Sequence, residues 1–239
     1  MRGAAGRAGK TADVRTLPSP PDGRGQERYE RAHDPIRVHF LSDGVCAIIL
    51  TLLVLEIHVP DTLHAGESLG AALNALRPSL VAFLISFVVV AIAWAGHRDL
   101  FAVVQRTDRA LVWLNFLYLL PLCLLPFGAS LIARYPSNAD ALRIYGLLLV
   151  TISLTRIVMW LYATGNPRLL VGEPDPQFRR VGISVAAGPG IAYLVAFAIA
   201  GVAPLGSMLI YAAVPVAYFL AITVSRSTTP TGGSETDLT

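Results

Sequence analysis

Six long apolar runs organise the chain, separated by short polar links that hold many of its arginines. Each run is about 20 residues or longer, enough at roughly 1.5 Å per helical residue to cross a bilayer. The first spans 37–60. Asp34-Pro35 before it supplies an N-cap and a proline suited to the first helical position, and Pro60-Asp61 is a stop. Further helices are expected over 79–101, 110–133, 141–164, 181–202 and 205–224. Pro121 and Pro126 should kink the third, because each removes a backbone hydrogen bond. Gly188-Pro189-Gly190 should break the fifth. A short amphipathic helix fits 68–76, inside the polar connection 60–78 that also holds Asp61, His64 and Glu67. The pattern predicts an all-α polytopic membrane protein with six transmembrane helices.

The first run is not uniformly apolar. Arg37, His39, Ser42 and Asp43 lie near its start and Glu56 near its end. Ionisable groups at membrane depth usually face the protein interior or water, so this helix is expected at the centre of the bundle. Ile48, Leu52 and Leu55 follow i, i+4, i+7 and share one stripe, flanked by Thr51. By periodicity alone, ordinary helix packing is the leading reading of that stripe. Thr51 has a local alternative too, a bond to the carbonyl four residues back. Glu56 fits either a cation-attracting ring in an oligomer or a solvated helix end. His39 and Asp43, at i, i+4, can pair directly. Arg37 and Asp43, six apart, point to different sides and need other partners, for which His97, Asn115 and Arg156 are the candidates.

Composition supports the membrane reading. The 239 residues are 54% hydrophobic and only 15% charged, against roughly 25% charged in soluble domains, and the mean hydropathy is +0.58. A net charge of +3 gives no footprint for nucleic acid. Residues 1–33, rich in Gly, Arg, Pro and Ala, are expected to form a disordered basic tail, 34–224 the membrane domain and 225–239 a second disordered tail. Arginines concentrate in the N-terminal tail, the link between helices two and three, and the loop between four and five. That bias places both termini in the cytoplasm, although Arg134 and Arg143 dissent. Cys46 and Cys123 fall inside apolar runs and show no metal-ligand spacing, so neither a metal nor any other cofactor is expected.

The string Arg37-x-x-x-Leu41-Ser42-Asp43-Gly44, followed by Ala47-Ile48 and Thr51-Leu52-Leu53-Val54-Leu55-Glu56-Ile57, resembles the first helix of the transmembrane protein 175 family of potassium channels, with Leu41 in place of that family's phenylalanine. Trp94-x-x-His97-x-x-x-Phe101 resembles the end of its second helix, and Trp113-Leu114-Asn115 with Leu124-Leu125-Pro126-Phe127 its third. The resemblance implies a potassium-selective channel with potassium as the permeant ion. Helix one would line a central pore of a homotetramer in the cell membrane. Ile48, Leu52 and Leu55 would form the hydrophobic constriction and Thr51 would contribute to selectivity. Arg37, Ser42, Asp43 and His97 would form a polar network between helices.

Two other classes compete, a small secondary transporter and a non-conducting membrane scaffold. A transporter should show repeats and paired broken helices, and Gly188-Pro189-Gly190 has no counterpart in the first half. The chain contains no T-V-G-Y-G filter and no regular arginine series for voltage sensing. No G-x-S-x-G or H-E-x-x-H motif supports an enzyme.

Overall fold

The computed structural model describes residues 34–58, 68–172 and 175–227. The tail expected over 1–33, most of the one over 225–239, and Asp61, His64 and Glu67 lie outside the described residues. Within them the chain is helical: α1 Pro35–Leu55, α2 Leu69–Ala75, α3 Arg77–Phe101, α4 Arg109–Cys123, α5 Leu125–Arg134, α6 Ala139–Gly165, α7 Pro176–Ile199 and α8 Pro204–Ser227. A single 3-10 turn, Pro167–Leu169, follows α6.

Local chemistry sets the starts. Asp34 accepts a hydrogen bond from the Ile36 N–H at 2.9 Å with Pro35 in the first turn, and Asp175 does the same for Gln177 with Pro176. Asp108 caps α4 through Leu111 N–H, and Asn138 caps α6 through Asp140 and Ala141. Short polar side chains at these positions satisfy N–H groups that a helix leaves free.

Four membrane-length helices, α1, α3, α6 and α7, together with the α4–α5 pair, are apolar enough to span a bilayer. The sixth segment, α8, is apolar over Pro204–Tyr218. The chain is therefore a multi-pass, all-α membrane protein, with helix ends within a few residues of those the sequence predicts. Helix one ends at Leu55, five residues before Pro60.

Two proline expectations meet different outcomes. The third run is interrupted at Leu124, between α4 and α5. Pro126 has no N–H to return to Leu122, so the helix restarts there as α5, while Pro121 stays inside α4. The break expected at Gly188-Pro189-Gly190 does not occur, and α7 runs unbroken from Pro176 to Ile199 with Pro189 inside it. In an apolar bundle, packing against neighbouring helices keeps a proline-containing segment helical. Gly190 lies close against α6, where an added Cβ would sit 3.0 Å from the Cβ of Ser153.

The two arginine-bearing links come together at one end of the bundle. Val104 and Leu170 form an antiparallel bridge, in which Gln105 N–H donates to Leu169 O at 2.7 Å and Val171 N–H to Val103 O at 3.0 Å. At the bundle's centre lie Tyr145 and Tyr211, both fully buried. Ser86 and Tyr145 share a 3.0 Å hydrogen bond, and Tyr211 donates to Leu142 O at 3.0 Å. Tyr211 reaches that carbonyl across Gly146, where any Cβ would overlap its hydroxyl.

Gly146→Ala should therefore force Tyr211 aside and lower stability by about 1–3 kcal/mol, the usual cost of overpacking. Gly188→Ala, with nothing within 4 Å of the new methyl, should leave stability unchanged or raise it. Thermal melting of the detergent-solubilised protein compares the two.

Candidate pore helix and its polar anchor

The two faces of α1 are chemically distinct. Ser42, Cys46, Ile49 and Leu53 follow i, i+4, i+7, i+11 and are buried against the rest of the chain. Only 22% of the most apolar window of α1 is buried, against 50% for α6. Within one chain α1 is thus peripheral, not central, and among its polar groups Ser42 and Asp43 are held against the neighbouring helices. Ile48, Leu52 and Leu55 point away from the bundle, 58%, 43% and 65% exposed. Thr51 is exposed beside them and donates to the carbonyl of Ile48 at 2.7 Å, three residues back and not four. Val54 is also half-exposed, so the open arc is wider than the stripe. Glu56 is half-buried at the helix C-cap.

The buried stripe begins with a hydrogen-bonded tie across three helices. Ser42 on α1 donates to Val38 O at 2.9 Å and receives the Asn115 Nδ2–H of α4 at 3.0 Å. Asn115 Oδ1 lies 2.8 Å from Nε2 of His97 on α3. With the amide oxygen as acceptor, His97 must donate from Nε2, which leaves Nδ1 buried without a partner. All three side chains are at most 1% exposed. The His97 ring stacks on Phe101 at 4.4 Å and on Tyr118 at 5.8 Å, and Tyr118 donates to Ala93 O at 2.8 Å.

Asp43 makes a second tie to α3. Trp94 Nε1–H donates to its Oδ1 at 2.8 Å, and His39 Nδ1 lies 3.4 Å from its Oδ2. Arg98 in turn sits over the Trp94 ring at 5.4 Å. Of the four residues expected to form one network, Ser42 and His97 meet through Asn115, and Asp43 reaches α3 separately through Trp94. Arg37 is exposed and makes no hydrogen bond or ion pair with any described residue. Sequence reasoning noted Trp94 in the helix-two motif but not as the partner of Asp43. Its signal is spacing: Trp94 and His97, at i, i+3, share the face that α3 turns toward α1. Among the described residues no group of three His, Cys, Asp or Glu side chains is placed to hold a metal.

Comparison with known proteins identifies the family. The model of the family described as endosomal/lysosomal potassium channel TMEM175 matches residues 37–126. A protein of Chamaesiphon minutus named a potassium channel is 37% identical over 169 residues, covering 68% of this chain and 82% of the relative. The chain belongs to the TMEM175 family. A Streptomyces collinus protein, also named a potassium channel, is 36% identical over 157 residues, covering 64% of this chain and 76% of the relative. The crystal structure of a lysosomal potassium-selective channel TMEM175 homolog from Chamaesiphon minutus superposes with a TM-score of 0.68 at 30% identity, covering 81% of this chain and 97% of that one. The segment matched by the TMEM175 model opens at Arg37 and closes at Pro126. It therefore takes in α1 from its third residue together with α3 and α4, the three helices that Ser42, His97 and Asn115 join. Helices α6 to α8 lie beyond it.

Asn115→Ala removes the shared member of the tie and should leave Ser42 and His97 unpaired toward α4. The expected loss is about 1–3 kcal/mol for each buried polar group orphaned. Ser42→Ala keeps the His97–Asn115 bond and should cost less. Melting curves of the two variants test the order, and equal losses would contradict it.

Proposed function

We propose that this TMEM175 protein is a potassium channel of the cell membrane, a homotetramer in which α1 of each subunit lines the pore. The observation that carries this is the exposed stripe Ile48, Leu52 and Leu55, on a helix whose opposite face is pinned by buried hydrogen bonds. A helix held so firmly on one side presents the other in a fixed rotation. Four copies around an axis would bring the stripes together as rings of aliphatic side chains, with both termini in the cytoplasm. Potassium passes passively, and no bond is made or broken.

Rings of this kind offer no oxygen ligands. A potassium ion must keep its water there, because stripping a charge in an apolar setting is very costly. The constriction therefore sets conductance and can gate by dewetting. Discrimination against sodium falls to the polar edge at Thr51. Its hydroxyl hydrogen is held by Ile48 O, so the oxygen is left to act as an acceptor for a cation, and selectivity is moderate. Arg37, exposed at the start of α1, is assigned to contacts between subunits or with lipid headgroups. The unbroken α7 removes the one feature that favoured a carrier.

Reversal potentials in potassium/sodium gradients test the assignment. Ile48→Asn and Leu52→Asn should widen and wet the constriction, raising current and weakening potassium preference. Leu55→Asn should act in the same direction. Val54→Asn, on the same open arc but off the stripe, should change permeation least, and an equal effect there would move the pore to another face. The protein in mild detergent should have the mass of four 25.6 kDa chains. A conducting monomer would refute the tetramer.

A further inference from the structure

A second polar site lies at membrane depth among α3, α6, α7 and α8. Arg156 is on α6, nine residues before its end at Gly165, or about 14 Å along the axis. It is 7% exposed. It makes no hydrogen bond or ion pair with any described residue, and its Nε is buried without a partner. Its guanidinium lies against the backbone of Gly96 on α3, where an added Cβ would overlap it. A cation in this position requires a negative partner or water, because a lone buried charge is expensive in protein and in lipid.

The surrounding helices supply no such partner. Neither α7 nor α8 contains an Asp or Glu, nor do α4 and α5. The acid of α3, Asp99, is exposed and pairs with Arg98. The acid of α6, Asp140, lies at the other end of that helix, beside Arg143. On α1, Asp43 is engaged by Trp94 and His39.

What does lie beside Arg156 is a cavity of about 40 Å³ among α3, α6, α7 and α8. Its polar lining is Arg156, Ser153, Tyr193 and Tyr218, set among apolar side chains such as Leu149 and Pro215. The hydroxyls of Ser153, Tyr193 and Tyr218 make no hydrogen bond with any described residue. One fixed cation and three uncommitted hydroxyl donors thus line a space that holds about one or two water-sized species. Every polar group there can donate, and the guanidinium can do nothing else.

We propose that this cavity binds a small monovalent anion, chloride in the cell, as the counter-charge of Arg156. Chloride is close to water in size, accepts hydrogen bonds from all sides and has none to donate. A phospholipid phosphate, which would have to enter through the cavity's open side, is the competing occupant that the experiment separates from chloride. The anion would be structural, fastening α6 to α3, α7 and α8, and separate from the cation path on α1.

The experiment uses the whole detergent-solubilised protein at constant potassium concentration, with chloride exchanged for gluconate, an anion too large for the cavity. Chloride should raise Tm by about 5 °C over gluconate, as expected for a ligand that binds only the folded state near saturation. Arg156→Met should abolish the difference. Tyr218→Phe, which keeps the charge and removes one donor, should raise the chloride concentration at half effect several-fold and stands in for Arg156→Met if that variant does not fold. Crystals of the unaltered protein grown in potassium bromide should show an anomalous peak beside Arg156. Equal melting in the two salts, a chloride dependence that survives the substitutions, or a bromide map empty at Arg156 would overturn the proposal. So would a phospholipid that copurifies with the unaltered protein but not with Arg156→Met, in the absence of any chloride effect.

Discussion

The rotation of α1 about its own axis is the constraint on which the rest depends. In a bilayer the hydrophobic effect does not decide which face of an apolar helix turns inward, since lipid is as apolar as a leucine neighbour. Burial of Cys46, Ile49 and Leu53 could be exchanged for another apolar stripe at small cost. Ser42 cannot be exchanged that way. Turned to lipid it would lose Asn115, and Asn115 would lose one of its two partners, in surroundings where no water replaces them. The Asp43–Trp94 bond, almost one turn's fraction away on the same end of α1, fixes the same rotation a second time. Two polar contacts near one end of the helix therefore set the direction of side chains three turns further on.

Much of the fold was legible because its signals are local. Apolar run length marked the spans, and Asp34-Pro35 marked the start of α1. The same chemistry at Asp175-Pro176, which starts α7 five residues before the expected 181, and the caps Asn138 and Asp108 of α6 and α4 emerge only in the structure. The misreadings came where a residue's effect depends on neighbours distant in sequence. Pro189 breaks a helix in water, but in α7 the helix continues, with α6 close against Gly190. Pro121 sits inside α4 without interrupting it, and the third run restarts only at Leu125-Pro126. The bridge between Val104 and Leu170 joins two loops more than sixty residues apart, and nothing in either loop's composition announces it.

The candidate site was legible in outline for a related reason. Period alone brought out Ile48, Leu52 and Leu55 as one stripe, which only the family resemblance assigned to a pore, and polarity in an apolar run marked Ser42, Asp43, His97 and Asn115. What period cannot give is which polar residue meets which. Arg37 reads as a network member because a charge near a membrane helix demands a partner, yet its position in the first turn of α1 lets it reach outward. Trp94 reads as an aromatic in an apolar helix, yet its N–H is the donor that Asp43 requires. In each case the deciding quantity is the direction of a side chain relative to a second helix.

The same anchoring bears on how the proposed pore can work. A stripe of Ile and Leu facing lipid gains little by meeting three copies of itself, because apolar surface is only exchanged for apolar surface. Facing an aqueous axis, the same stripe is strongly driven to close, and the closure excludes water that an ion needs. An unanchored helix would relieve that tension by rotating Thr51 or Gly44 toward the axis. With Ser42 committed to α4 and Asp43 to α3, rotation means breaking one buried and one part-buried set of hydrogen bonds, and the proposed constriction would instead open by moving α1 together with the helices to which it is tied. Gating in such an architecture is a displacement of the anchored group as a unit, and the polar tie that looks purely structural determines how large a piece of the protein must move for the constriction to wet.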